Sequence, residues 1–287
     1  MSEIRTVGVI GAGQMGGGIA QVAAVAGFET VVFDAFEGAV GKCRALHDKL
    51  LARAVDKGKM TQSEVDNARK RLSYASSLDA LRNADIVIEA VVEDPQVKKD
   101  LFKQVLGLVS GHAILASNTS SISITELATA VGDAAPRFIG MHFFNPVPVM
   151  QLVEVINGLA TGPDTTERTI ALARAMGKTP LPANDRPGFV SNRVLMPMIN
   201  EAFYAWMEGV AEPEDIDGIM KLGCNFPMGP LRLADFIGLD TCVHIMEVLA
   251  EGLNNPRYRA CPLLKQLVTA GRLGDKTGRG VYEYPAK

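Results

Sequence analysis

The chain has 287 residues, 47% of them hydrophobic and 21% charged, with a formal net charge of −3 and a pI near 5.9. That length accommodates one large domain and one small one, and the mildly acidic balance gives no global attraction for nucleic acid, so an anionic ligand must be held by a local feature. No stretch reaches the about 18 apolar residues of a membrane span. The first strand is entered by Ile4, which leaves no room for a signal peptide. These features read as a cytoplasmic protein with neither a membrane nor a nucleic-acid partner. Cys43, Cys224, Cys242 and Cys261 have no CxxC or CxH spacing, which suggests reduced thiols and neither a metal site nor a disulfide framework.

Residues 4–10 form a short apolar run, the profile of a parallel strand buried on both faces. Gly11-Ala12-Gly13-Gln14-Met15-Gly16 follows at once and leads into a helical pattern of Ile19, Ala20, Val22, Ala23 and Ala26. A GxGxxG motif is weak alone and much stronger between a strand and a helix. Gly11 permits the tight turn, Gly13 a close backbone approach to a pyrophosphate, and Gly16 close packing of helix on strand. The helix N-terminus then offers N–H groups to phosphate. A glycine-rich turn without a ligand is the alternative. Gly27 closes the helix, and residues 29–33 make a second strand ending at Asp34, where a carboxylate can accept both adenosine ribose hydroxyls. Its charge would repel a 2′-phosphate and no arginine adjoins it, so NAD is expected over NADP.

Residues 38–72 are helical and charged, with a break near Lys57-Gly58-Lys59 and a restart at Thr61-Gln62-Ser63-Glu64, a capping-box pattern. This reads as a helix pair inserted in the nucleotide fold and standing off it. Lys57 and Lys59 could meet anionic phosphates or simply be solvated. A buried strand over 86–92 ends at Glu93, and a helix over 96–109 turns Leu101, Phe102, Val105, Leu106 and Val109 to one face. The strand at 113–116 leads into Ser117-Asn118-Thr119-Ser120-Ser121. Ligands in open α/β sheets bind just outside strand carboxyl ends, where these polar residues lie. Capping the helix at about 124–130 is their other use.

The next stretch, Gly140 to Val155, is the centre of the chain. His142 arrives on an apolar run, Pro146 and Pro148 force extended turns, and Glu154 stands as one acid within Leu152-Val153-Glu154-Val155-Ile156. A lone carboxylate among β-branched residues is costly to bury without a partner, and the nearest candidate is His142, twelve residues back. Such a pair fixes the imidazole tautomer and raises its basicity, as proton transfer near neutral pH requires. A satisfied core histidine with Glu154 facing solvent from an edge strand is the blander alternative. His47 on a charged helix, His112 in a turn and His244 on a later helix look ordinary.

A helix at about 165–176 is closed by Gly177, and 178–182 is the last strand-like run. No strand–helix–strand signal follows Arg186-Pro187-Gly188, which puts the domain boundary near Asn184. The fold expected is α/β over residues 1–184, a Rossmann-type doubly wound, mostly parallel sheet with the helical-pair insertion at about 38–72. A smaller all-α domain is expected over 185–287, with helices over 189–208, 213–222, 229–252 and 262–270. Asn192, near the start of the first of these, reads by itself as a cap, and Lys276 as a lysine in a Gly-rich loop. The apolar faces of these helices exceed what a ~100-residue domain can bury internally, which predicts a symmetric dimer through this domain.

His142-Phe143-Phe144-Asn145-Pro146-Val147-Pro148-Val149-Met150 with Leu152-Val153-Glu154-Val155 closely resembles the signature of the L-3-hydroxyacyl-CoA dehydrogenases, above all their short bacterial 3-hydroxybutyryl-CoA members. The resemblance runs from the first strand to the C-terminus. It includes Glu89-Ala90-Val91-Val92-Glu93 with Lys98, and Gly188-Phe189-Val190-Ser191-Asn192-Arg193. It implies His142 as the catalytic acid/base with Glu154 as its orienting partner, and Ser120 and Asn192 as holders of the substrate oxygens. Cofactor contacts follow for Glu93, Lys98, Ser120, Asn145 and Lys276, beside the turn of Gly11, Gly13, Gln14, Met15 and Gly16 and the acid Asp34. In the family the helical pair borders the CoA cleft, where Lys57 and Lys59 are the candidates here. A serine that the mitochondrial members use on the first of these helices falls on Leu50, so the CoA contacts do not carry over wholesale.

The activity implied is reversible, NAD-dependent oxidation of an (S)-3-hydroxyacyl-CoA, the four-carbon 3-hydroxybutyryl thioester in the first instance, to the 3-oxo compound. The partners implied are an acyl-CoA substrate and a second copy of the chain, with the site expected in the cleft between the domains. Two rivals stand beside it: oxidation of a free hydroxy acid or sugar acid on the same architecture, and a NAD-binding protein without catalysis. Retention of Ser120, His142, Glu154 and Asn192 together weighs against the second.

Overall fold

A computed structural model describes residues 4–285, which fall into two compact units divided between Asp185 and Arg186. In unit 1, β1 (Thr6–Ile10) runs into α1 (Gln14–Val25) and β2 (Glu29–Phe33), and α2 (Glu37–Asp56) and α3 (Gln62–Arg71) lead to β3 (Leu72–Ala75). Then come β4 (Ile86–Glu89), α4 (Pro95–Leu106), β5 (Ile114–Ser117), α5 (Ile124–Ala128), β6 (Phe138–Phe143), β7 (Leu152–Asn157), α6 (Pro163–Ala175) and β8 (Thr179–Asn184). The eight strands form one sheet in the order β3-β2-β1-β4-β5-β6-β7-β8. Every pairing is parallel except β6 with β7.

The strands are apolar on both sides because helices cover both faces. Val7, Val9, Ile86, Ile88, Ile139, Met141, Val153 and Val155 join Ile19, Ala20 and Ala23 of α1 and Leu172 and Ala173 of α6 in one buried core. On the opposite face Phe138 meets Phe102 of α4 edge-on at 4.7 Å. There Gly140 leaves room for Ile124 of α5, whose Cδ1 would lie 2.8 Å from an added Cβ. Side chains alternate along a strand, so His142 and Glu154 point to the α4–α5 face, away from the core beneath α1. Pro180 and Pro182 sit in the edge strand β8, where a missing N–H blunts further strand pairing.

Several elements differ from the sequence expectation. The helical pair is the crossover of a β-α-α-β unit, because Leu72–Ala75 pairs in parallel with β2 as an edge strand; four residues of mixed burial carry too weak an alternation to be read. The restart is as expected: Thr61 and Glu64 form a complete capping box. β4 ends at Glu89 rather than near Glu93, because its neighbours end there too and the Glu89 carboxylate turns the chain by accepting from Val91 N at 2.7 Å. α5 is capped by Ser123, which accepts from Glu126 N, and not by the 117–121 cluster.

Unit 2 is helical: α7 (Ser191–Met207), α8 (Pro213–Gly223), α9 (Pro230–Ile237), α10 (Leu239–Gly252) and α11 (Pro262–Thr269). The single helix expected over 229–252 is broken between α9 and α10, where Gly238 takes φ +103°. Met196, Ile199, Phe203, Leu231, Leu239, Met246, Leu249 and Leu264 build the core. Two buried acids tie down the C-terminal tail. Asp235 accepts from Val281 N and Tyr282 N, both at 2.9 Å, and Asp217 accepts from the Tyr282 hydroxyl at 2.8 Å.

Candidate active site

The turn between β1 and α1 has the shape a pyrophosphate needs. Gly11 takes φ +107°, a conformation that side chains rarely adopt, and a Cβ there would strike the backbone of Ala90. A Cβ on Gly16 would collide with the Gly11 carbonyl, whereas one on Gly13 would meet nothing within 4 Å. Helix and strand are thus packed to contact at Gly16 and open above Gly13, beside Gln14 and Met15 at the first turn of α1. Asp34, at the end of β2, accepts from Ala12 N at 2.7 Å and from Phe36 N at 2.9 Å. It clasps the glycine turn while standing half-buried at its edge. These residues fit a dinucleotide.

At the ends of β4 and β5 lies a charged cluster. Glu89 is fully buried; its carboxylate accepts from Lys98 Nζ at 2.5 Å and from the Ser117 hydroxyl at 2.7 Å. Lys98, 1% exposed, also reaches Glu93 at 3.3 Å. One oxygen of Glu93 accepts from Ser120 N at 2.9 Å, from Ser121 N at 3.2 Å and from the Thr119 hydroxyl at 2.5 Å, with the Ser120 hydroxyl at 3.3 Å. Burial pushes the Glu93 carboxyl up, but the Lys98 ammonium and the hydrogen bonds from Thr119, Ser120 and Ser121 outweigh it and hold the group below its ordinary value of 4.5. Three of the five small polar residues, Thr119, Ser120 and Ser121, thus converge on one acid. In the same stretch Asn118 accepts from Phe143 N at 2.9 Å, fastening the loop to the strand of His142.

His142 and Glu154 are direct partners across the antiparallel β6–β7 ladder. Nδ1 of His142 lies 2.7 Å from Glu154 Oε2, with the residues 7% and 4% exposed. The Phe144 ring stands 4.6 Å from the imidazole, centroid to centroid. A carboxylate on Nδ1 places the hydrogen of the neutral ring there and makes Nε2 the acceptor nitrogen.

Residues 6–186 match the NAD binding domain of 3-hydroxyacyl-CoA dehydrogenase, and residues 188–284 match the C-terminal domain of the same family. The chain belongs to the 3-hydroxyacyl-CoA dehydrogenase family. It is 57% identical over 277 residues to a probable 3-hydroxybutyryl-CoA dehydrogenase of Deinococcus radiodurans, covering 96% of this chain and 99% of that one. It is 51% identical over 281 residues to the 3-hydroxybutyryl-CoA dehydrogenase of Bradyrhizobium diazoefficiens, with 98% and 96% covered. The crystal structure of the (S)-3-hydroxybutyryl-CoA dehydrogenase of Ralstonia eutropha superposes with a TM-score of 0.97 at 51% identity, over 99% of this chain and 100% of that one.

The remaining residues to which the family resemblance assigns roles are spread over both units. Asn145 is exposed in the connection between β6 and β7, and Lys57 and Lys59 are exposed in the α2–α3 turn. In unit 2, Asn192 is the second residue of α7 and is 8% exposed, inside the helix rather than at its cap. Lys276 pairs with Asp240 at 2.6 Å. Among the described residues no group of three or more side chains could hold a metal ion, no helix is long and apolar enough to cross a membrane, and the four cysteines are free thiols.

Three residues escaped the sequence reading. Glu89 had a legible signal, an acid closing a run of buried β-branched residues, but its partners come from α4 and β5. His47, far from ordinary, is 2% exposed, with Nε2 2.8 Å from the Gly17 carbonyl of α1 and Nδ1 2.7 Å from the Tyr74 hydroxyl. Burial holds it below the ordinary histidine value of 6.5, against the pull of the Gly17 carbonyl and Asp48, and burial with Asp34 pushes the nearby Cys43 thiol up to about 11. Lys178, read only as the start of a strand, is 9% exposed.

Proposed function

We propose that this chain catalyses the reversible NAD-dependent oxidation of (S)-3-hydroxybutyryl-CoA to acetoacetyl-CoA, with His142 and Glu154 as its acid/base pair. The observation that carries the reading is the 2.7 Å contact between His142 Nδ1 and Glu154, two buried groups brought face to face by strand register. NAD, when bound, supplies the hydride acceptor. The turn of Gly11, Gly13, Gln14, Met15 and Gly16 would hold its pyrophosphate, Asp34 its adenosine ribose, and Glu93, Lys98 and Asn145 its nicotinamide side. Lys98 is buried, so its contribution is to hold Glu93 in place and to set the local charge.

In oxidation, Nε2 of His142 takes the proton of the 3-hydroxyl as the C3 hydride departs, and Glu154 stabilises the imidazolium that results. In reduction the same nitrogen returns the proton to the 3-oxygen. Ser120 donates a hydrogen bond to that oxygen. Asn192 and Lys276, on unit 2, are assigned to substrate and cofactor by the family resemblance. Lys57 and Lys59 would meet the phosphates of CoA. Asp34 repels a 2′-phosphate, which favours NAD over NADP. A homodimer through the helical unit would cover apolar side chains such as Ile219, 62% exposed, and Leu222, 91% exposed.

The test follows NADH consumption with acetoacetyl-CoA, a longer 3-oxoacyl-CoA and free acetoacetate, and repeats the first with NADPH. Acetoacetyl-CoA should give the highest kcat/KM, and NADPH a much lower one than NADH. Equal or better turnover of acetoacetate would overturn the thioester assignment. Monomeric sedimentation at micromolar concentration would overturn the dimer.

A further inference from the structure

The connection between His142 and Glu154 is short of internal hydrogen bonds. Pro146 and Pro148 have no N–H to donate. The Pro146 carbonyl accepts from Val149 N at 2.9 Å and Met150 N at 3.0 Å, making one tight turn. Two further carbonyls, those of Val147 and Met150, accept from a single donor: Lys178 Nζ, at 2.5 and 2.9 Å. Lys178 follows Gly177 at the end of α6, and its neighbour Thr179 donates to Gln151 O at 2.8 Å, so the same short segment also holds the entry to β7. On its other side the connection is seated on α1. Val147 is 2% exposed between two exposed prolines, and a Cβ at Gly18 would lie 2.8 Å from its Cβ, so only glycine lets it sit there.

We infer that Lys178 is a positioning residue for the reaction. Its ammonium clips the Pro146–Met150 turn and seats Val147 on the dinucleotide helix, and so sets where His142 and Asn145 stand relative to that helix. This rests on the assignment of His142 given above. A buried ammonium suits the task because three N–H groups on one atom can draw two carbonyl dipoles to a point, which an apolar chain cannot reproduce. Without it two carbonyls lose their donor and the connection is free to shift. A misplacement of about 1 Å far from the chemistry can cost on the order of 10²-fold in rate.

The experiment uses the full-length protein and compares wild type, Lys178→Met and Gly18→Ala, which disturbs the same clip from the opposite side. Hydrogen exchange of the peptide spanning residues 144–151 should quicken in both variants, while the peptide carrying β4 and β5 stays as protected as in wild type. With acetoacetyl-CoA, kcat should fall about 10- to 100-fold, and the NADH dissociation constant, read by fluorescence, should stay within about twofold. The isotope effect on kcat with NADH deuterated at both C4 positions should rise as hydride transfer becomes limiting. Unchanged exchange in 144–151 sinks the clip whatever the activity. A fall in kcat with an unchanged isotope effect and a matching loss of NADH-binding sites marks Lys178 as merely structural. Absence of wild-type turnover sinks the assigned activity instead, and leaves the exchange result to decide the clip.

Discussion

The His142–Glu154 pair and the Glu89–Lys98–Glu93 cluster lie on the same face of one sheet, near the ends of neighbouring strands, and they are assembled in different ways. The pair is a product of register: two strands run antiparallel and one rung of the ladder holds the imidazole opposite the carboxylate. The cluster needs a strand end, a loop and a helix to converge, and its acids, Glu89 buried and Glu93 at the exposed rim, are met by an ammonium, hydroxyls and backbone N–H groups. The pair contains an imidazole, a ring with one nitrogen that donates a proton and one that accepts. The cluster is a set of two carboxylates and one ammonium whose hydrogen bonds tie a strand end, a loop and a helix together. The pair occupies β6 and β7, and the cluster the ends of β4 and β5.

The comparison is broken most sharply at the ring. Replacing His142 with Gln should lower kcat by ~10²–10⁴-fold and leave NADH binding intact, while Glu154→Gln should lower it less and change the pH–rate profile. Near-wild-type turnover for the first, or an unchanged profile for the second, removes the acid/base assignment. On the cluster side, Lys98→Met leaves a fully buried Glu89 without its counter-charge. Unfolding in urea should show a loss of about 3–5 kcal/mol, and a loss under 1 kcal/mol would show that the carboxylate finds other compensation. His47 sharpens the contrast at smaller scale, as a buried histidine that is kept neutral rather than used. Below its ordinary value of 6.5 the unfolded chain takes up a proton that the folded chain refuses. Its stability contribution is therefore present above pH 6.5 and is lost as pH falls toward the depressed folded value. His47→Gln should flatten that part of the stability–pH curve; parallel curves for the two proteins would refute it.

The strand–turn–helix of the dinucleotide site and the capping box at Thr61 were legible in the chain itself, through local chemistry: glycine at a positive φ, and a hydroxyl and an acid three residues apart. The lone acid Glu154 in a greasy strand asked for a partner, but it was the family signature that favoured His142 over a solvent-facing carboxylate. The edge strand at Leu72–Ala75 and the break at Gly238 were not legible, because a short strand of mixed burial and a single glycine between two apolar helices leave ambiguous periodicity. Nor could the partners of Glu89, His47 and Lys178 be read, since a buried charge announces that it needs a partner without saying which. The amino-acid order therefore determined the glycine-turn unit and most of the sheet through periodicity and spacing, and the family through its resemblance to the dehydrogenase signature. Tertiary packing alone decided which carbonyls Lys178 holds, that Lys98 reaches Glu89 and where His47 is sealed, because those contacts join segments from 9 to 31 residues apart that meet only once the sheet has closed over them.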